Sequence, residues 1–97
     1  MKLTKKVVMQ KLENNSPKIK KFGVKKIGLF GSILKNKQKR SSDIDFLVEF
    51  NKTTFDNYAE VLILLENIFK RKIDLVTKSS LRPEFSYIIK ETEYAKL

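Results

Sequence analysis

The 97-residue chain contains no cysteine, no histidine and no tryptophan. The lack of cysteine excludes disulfides, thiolate nucleophiles and cysteine-based zinc or iron–sulfur sites. The lack of histidine excludes a Ser-His-Asp triad and imidazole metal ligands. Any catalysis must therefore use carboxylates, lysine, arginine, serine, threonine, tyrosine or a bound cation. The cations that remain open are those that prefer oxygen ligands, magnesium and manganese.

Long apolar runs are also missing. The longest uninterrupted one, residues 61–65, is far shorter than the roughly 20 residues that span a membrane. No secretory signal pattern opens the sequence, so we expect a cytoplasmic protein without membrane contact. A chain of this length can build one modest core, and we therefore expect a single domain over 1–97.

Acidic residues are scarce in the first part of the chain. Residues 1–42 carry 13 basic residues and one acidic residue, whereas residues 43–97 carry eight basic and ten acidic residues, giving a net charge of +10. Such a distribution suits an anionic partner, such as a nucleotide, although lysines also serve only to keep a surface soluble. We do not expect direct nucleic-acid binding, because no recognisable reading motif is present.

Hydrophobic periodicity predicts an α/β (α+β) fold, a small mixed β-sheet with helices packed on it. Thr53 or Thr54 is expected to cap the long helix, and Phe85, Ile88 and Ile89 to form the inner face of the last one. Ser16-Pro17 is expected to start the second helix, with Gly23 just past its end. The predicted elements are, in chain order, helices over 3–14 and 16–22, strands over 24–30 and 44–50, a helix over 54–70, a strand over 73–76 and a helix over 83–94.

Asp43 and Asp45 lie two residues apart at the start of the second predicted strand, so their side chains leave the same face. Like charges at this distance repel each other, and a divalent cation would turn the repulsion into coordination. The alternative is structural, with Asp43 ending a turn and Asp45 accepting a hydrogen bond.

Asp74 interrupts the apolar strand over 73–76, which we expect to be covered on both faces. A buried, unpaired carboxylate there would cost several kcal/mol, so Asp74 needs a partner. The long helix is long enough to act as a crossover that brings this strand beside Asp45. Three aspartates would then meet at one edge of the sheet, although a salt bridge from Asp74 to Arg71 or Lys72 is the simpler alternative.

Gly31 and Ser32 directly follow the first predicted strand. Glycine lets the backbone approach an anion closely, and serine adds a hydroxyl and its own N–H. A helical turn over 33–38 would favour a phosphate at its start, although an ordinary turn remains open. With the carboxylates, these residues suit attack of a hydroxyl on the α-phosphate of a nucleoside triphosphate.

The spacing Gly31-Ser32-(x)10-Asp43-x-Asp45, followed by Asp74 in an apolar strand, resembles the minimal nucleotidyltransferases of the polymerase-β-like superfamily. The resemblance covers essentially the whole chain and implies N-terminal helices over 1–23 and a catalytic palm over 24–97. It implies that Asp43, Asp45 and Asp74 form the catalytic site and bind magnesium, with manganese as a substitute.

The same resemblance implies a function as the antitoxin of a two-protein module. Some family members transfer AMP from ATP to a tyrosine of a HEPN-domain toxin, and the palms can also assemble with copies of themselves. Gly31, Ser32 and Lys35 would bind the nucleotide, with Lys35 at the position where the family usually has arginine. Lysine keeps the charge but loses the fork that grips phosphate at two points. A weakly active antitoxin that neutralises its partner by binding alone is therefore the alternative.

Overall fold

The computed structural model of the chain describes residues 3–35, Lys37 and residues 43–97. Two short helices precede a sheet whose strands are separated by helices of different lengths. The elements are α1 Lys5–Asn14, α2 Ser16–Lys21, β1 Val24–Phe30, α3 Gly31–Leu34, β2 Ile44–Phe50, α4 Phe55–Phe69, β3 Ile73–Thr77, 3₁₀ turns Lys78–Ser80 and Pro83–Phe85, α5 Tyr87–Glu91 and β4 Glu93–Tyr94.

The four strands form one mixed sheet in the order β3-β2-β1-β4. Strands β1 and β2 are antiparallel, and so are β1 and β4, whereas β2 and β3 are parallel. Helix α4 makes the crossover that a parallel pair requires. The expected mixed sheet with packed helices is therefore confirmed, and β3 lies at one edge of it, paired only with β2 among the described strands.

One face of the sheet carries the hydrophobic core. Along β2 the side chains of Ile44, Phe46, Val48 and Phe50 are buried on this face, as the two-residue period of a strand requires. Helices α1, α2 and α4 cover them with a second set of buried residues. The intervening Asp45 and Glu49 are only half-buried and point to the opposite face. That opposite face contributes the polar groups described below. The buried helix residues are Val8, Leu12, Ile19, Val61, Leu65 and Phe69.

The ends of the helices follow from local backbone chemistry. Gly23 has a φ of +81°, which glycine adopts without steric cost, and it follows α2 as predicted. The cap of α2 is Asn15, one residue earlier than the expected Ser16. At α4 the structure distinguishes between the two threonines, because Thr54 Oγ1 accepts a 3.1 Å hydrogen bond from the N–H of Asn57.

The prediction of a single helix over residues 83–94 is wrong. Residues 83–94 form a 3₁₀ turn, the short helix α5 and strand β4 instead. Thr92 ends α5 with an extended backbone, and its hydroxyl donates a 2.6 Å hydrogen bond to the carbonyl of Ile88. The next two residues then pair with the free edge of β1, which satisfies backbone groups that a longer helix would have left open.

Two aromatic residues are exposed, and one of them, Phe85, was expected on an inner helix face. Phe85 is 44% exposed because the chain turns before it can pack inward, while Ile88 and Ile89 are half-buried. Phe55 is 83% exposed at the first position of α4. Within the described residues, the helices are all too short or too polar to cross a bilayer.

We expect replacement of Thr54 by alanine to destabilise the protein by about 1 kcal/mol, because a helix cap is lost. For a domain of this size, the melting temperature would fall by about 4–8 °C. Thr53→Ala is the matched control, since Thr53 is exposed and does not cap α4. Equal melting temperatures of the two variants would contradict the assignment of the cap.

Candidate active site

Two carboxylates lie side by side on the face of the sheet opposite the core. In the parallel pair of β2 and β3, Asp45 is directly opposite Asp74, and on its other side Asp45 is opposite Phe30 of β1. The side chains of Asp45 and Asp74 share a hydrogen bond. The two carboxylates therefore act on each other directly across the parallel pair of strands.

The environment of Asp45 disfavours its charge. Burial, the charge of Asp74 and the hydrogen bond to Asp74 together raise the pKa of Asp45 from 3.8 to about 6. The charge of Asp43 adds to this rise, whereas a hydrogen bond from the backbone N–H of Ser32 opposes it. A carboxylate whose charge is held at such a cost fits a position that a cation occupies.

The backbone at the start of α3 lies very close to the side chain of Asp45. Gly31 has a φ of +78°, and a Cβ on it would lie 2.8 Å from Cγ of Asp45 and closer still to Oδ2. Only glycine allows the backbone this close approach. The N–H of Ser32, which we expected to face a phosphate, donates to the carboxylate of Asp45 instead. This amide therefore fixes the carboxylate.

The expectation that Asp74 is buried is wrong. Ile73 and Leu75 are buried in the core, but Asp74 points to the other face and is exposed. The sheet is covered fully on only one side at β3, and so an aspartate can interrupt an apolar strand without being buried. Its carboxylate is therefore accessible from solvent.

Asp43 lies directly before β2 and is half-buried. Its charge reaches Asp45 but, among the described residues, no three acidic side chains are already arranged around one point. Asp45 and Asp74 supply adjacent oxygens of the type that magnesium prefers, and Asp43 is close enough to act on the same charge. The donor set therefore fits a divalent cation, whose arrival would relieve the repulsion between the carboxylates.

Lys35 directly follows α3, and its Nζ lies 3.6 Å from Oε2 of Glu91 on α5. Both side chains are about half exposed, so this ion pair contributes little stability and can open. The helical turn expected over 33–38 is α3 over Gly31–Leu34. Residues 36 and 38–42 lie outside the described residues.

Tyr58 of α4 is a residue near this site that the sequence analysis missed. Its hydroxyl donates a 2.7 Å hydrogen bond to the carbonyl of Leu75, the residue after Asp74. Burial and then the charge of Asp74 raise the pKa of this phenol. The signal in the sequence is weak, namely a tyrosine at an inner position of an otherwise apolar helix face, where its hydroxyl needs a partner.

A cavity of about 330 Å³ opens at the other end of β2 and contains none of the three aspartates. It lies against Glu49, whose carboxylate is 3.5 Å from Nζ of Lys78. Because this cavity contains no member of the aspartate group, we place the candidate site at the carboxylate pair and the adjacent turn at Gly31. The lining residues of the cavity are Val48, Glu49, Phe50, Thr53, Lys78 and Ser79.

Comparison with known proteins agrees with the geometry. The nucleotidyltransferase domain family matches residues 9–96. A candidate protein adenylyltransferase of Methanocaldococcus jannaschii, MJ1379, is 45% identical over 64 residues. This match covers 63% of the present chain and 64% of that protein, which is less than two thirds of its length.

Solved structures share the fold. A candidate minimal nucleotidyltransferase superposes with a TM-score of 0.81 at 22% identity, over 94% of this chain and 95% of the other. A chain in the complex of tri-AMPylated Shewanella oneidensis HEPN toxin with MNT antitoxin gives a TM-score of 0.62 at 21% identity, over 89% of this chain and 70% of that one. The expected minimal nucleotidyltransferase fold is confirmed.

In the absence of divalent ions, we expect the stability of the protein to fall between pH 4.5 and pH 7.5. Because the folded-state pKa of Asp45 is raised from 3.8 to about 6, the folded state keeps a proton that the unfolded chain has released. Asp45→Asn should remove this fall and should be more stable than the wild type at pH 7.5. The gain should be about 1 kcal/mol after allowing for solvent screening.

Urea unfolding in EDTA at the two pH values measures the effect. Asp56→Asn is the control, because Asp56 is an exposed residue in the first turn of α4 and should leave the pH dependence unchanged. A wild-type stability that rises over this pH range in step with that of Asp45→Asn would contradict the prediction.

Proposed function

Because this chain belongs to the nucleotidyltransferase domain family, we propose that it transfers AMP from ATP to a hydroxyl group of a partner protein. The observation that carries the proposal is the pair of adjacent carboxylates, Asp45 and Asp74, anchored by the N–H of Ser32. The similar M. jannaschii protein is a candidate protein adenylyltransferase, which supports the choice of AMP and of a protein acceptor.

The proposed site depends on a divalent cation, magnesium or manganese, held by Asp43, Asp45 and Asp74. When bound, the cation would neutralise negative charge on the phosphate oxygens during transfer. The residues fit it because two of the carboxylates are in contact and the pKa of Asp45 is raised to about 6. The ion would offset the unfavourable free energy of keeping these adjacent carboxylates ionised.

The remaining roles follow from where the side chains lie. Gly31 and the hydroxyl of Ser32 would hold the outer phosphates, with Lys35 leaving its exposed ion pair with Glu91 to join them. Asp74, which is exposed, would accept the proton of the incoming hydroxyl. The hydroxyl oxygen then bonds to the α-phosphorus, the bond to the bridging oxygen breaks, and pyrophosphate leaves.

The proposed acceptor is a tyrosine of a HEPN-domain toxin, which makes this chain an antitoxin. The support comes from the similar fold found in the complex of tri-AMPylated HEPN toxin with MNT antitoxin. A surface on which such a partner could dock is present, since Phe85 and Tyr87 are 44% and 52% exposed. The same exposed residues favour a second candidate function, neutralisation of the partner by binding alone.

The experiment is transfer of label from α-labelled ATP to the protein encoded beside this one, in magnesium. We expect Asp45→Asn to reduce labelling to background while the complex between the two proteins still forms, because only a carboxylate of the site is lost. Asp56→Asn serves again as the control and should label at the wild-type rate. A stable complex with no label from the wild type would instead support neutralisation by binding alone.

A second prediction uses two glycines that share a positive φ. We expect Gly31→Ala to abolish transfer, because its Cβ would overlap the carboxylate of Asp45. Gly23→Ala incurs a similar backbone strain at φ +81°, but the nearest atom to its Cβ is Nδ2 of Asn57 at 3.4 Å. This variant should lose stability and keep its transfer rate at a temperature where it is folded. Equal loss of transfer in both folded variants would contradict the close approach at Gly31.

A further inference from the structure

Strand β3 carries Asp74 but is hydrogen-bonded to a neighbouring strand along only one of its two edges. Within the described sheet it pairs only with β2, and it is five residues long. The carbonyl of Lys72 accepts a 3.2 Å hydrogen bond from the N–H of Ile44, so the backbone at residue 72 faces β2. Since backbone groups alternate in direction along a strand, residues 74 and 76 also face β2, whereas residue 75 faces outward.

The outward carbonyl of Leu75 is the group to which Tyr58 binds. The phenol is half-buried on α4 and donates to this carbonyl at 2.7 Å. A buried or half-buried carbonyl at a sheet edge needs such a donor, because no strand supplies one. Tyr58 thus connects the crossover helix directly to the backbone of the edge strand, one residue from Asp74.

The position of this strand sets the geometry of the carboxylate pair. Asp74 on β3 and Asp45 on β2 lie directly opposite each other, so a shift of the edge strand changes the separation between their carboxylates. Ile73 and Leu75 anchor β3 in the core through their side chains. The hydroxyl of Tyr58 adds an anchor on the backbone itself, on the side away from β2.

We propose that Tyr58 is a positioning residue of the carboxylate site. By binding the carbonyl of Leu75, its hydroxyl keeps β3 at the separation from β2 at which Asp45 and Asp74 act on the same cation. The inference rests on the proposed function, because the cation and the transfer reaction belong to it. Tyr58 itself does not contact the substrate in this role.

The test is Tyr58→Phe, which removes the hydroxyl and keeps the ring that packs in the helix layer. Manganese binding is measured by electron paramagnetic resonance, independently of transfer. We expect the affinity for manganese to fall by about 10- to 100-fold, the usual effect of removing a group that orients a metal ligand. Tyr94→Phe is the matched control, because the Tyr94 hydroxyl also donates to a backbone carbonyl, that of Ile89 at 3.4 Å, and should leave manganese affinity unchanged.

A double-mutant cycle separates positioning from a general loss of stability. If Tyr58 acts through Asp74, the change Tyr58→Phe should have little further effect on manganese affinity in an Asp74→Asn background. Amide NMR spectra of Tyr58→Phe, with and without Asp74→Asn, are recorded at a temperature where the variants are folded. The changes caused by Tyr58→Phe should be confined to β3 and the facing part of α4. Equal losses with and without Asp74 would assign Tyr58 to stability alone and overturn the proposal.

The outcomes also separate this proposal from the proposed function. Wild-type protein that binds manganese but transfers no label would contradict the transfer reaction, and the effect of Tyr58→Phe on binding would still decide the role of Tyr58. Unchanged manganese affinity in Tyr58→Phe would overturn the positioning role while transfer stands. Absence of manganese binding by the wild type would overturn it as well.

Discussion

The structure depends on holding two like charges together. Asp45 and Asp74 lie side by side because β2 and β3 pair in parallel in a register that places these two residues directly opposite each other. Burial and then the charge of Asp74 raise the pKa of Asp45. The resulting cost of keeping Asp45 ionised must be outweighed by the apolar side chains that both strands bury on the other face. Packing of the core holds β2 and β3 together, and in this way it sets the spacing of the two carboxylates although it does not contact them.

The sheet separates these two tasks by face. Alternation along β2 sends Ile44, Phe46 and Val48 to the helices and Asp45 to the opposite side. Helices α1, α2 and α4 complete the apolar layer, so the polar side is free to carry groups that a buried sheet would exclude. The tight turn at Gly31 lies at the end of β1 on the same side and brings a backbone N–H to Asp45. Stability and chemistry thus come from alternate residues of the same strand.

Sequence patterns predicted what depends on neighbours in the chain. The helical spacing of α4, the alternation in β2 and the turn at Gly23 are local, and each is present in the structure. Two features depend on packing between distant segments, and the sequence did not indicate them. Asp74 is exposed because little covers the sheet at β3, and β4 forms because the edge of β1 was free. The partner of the Tyr58 hydroxyl likewise depends on where the crossover places α4.

Strand β4 and the residues after it join the two ends of the described chain. Lys5 pairs with Glu93 at 3.2 Å, Ser16 Oγ donates to the carbonyl of Leu97 at 3.3 Å, and β4 hydrogen-bonds to β1. These contacts join residues 81 and 88 positions apart in the chain. During synthesis, α1 and α2 leave the ribosome before β4 and cannot make these contacts until residues 93–97 have followed. The edge of β1 that pairs with β4 therefore stays unpaired in the nascent chain until residues 93–97 have been translated.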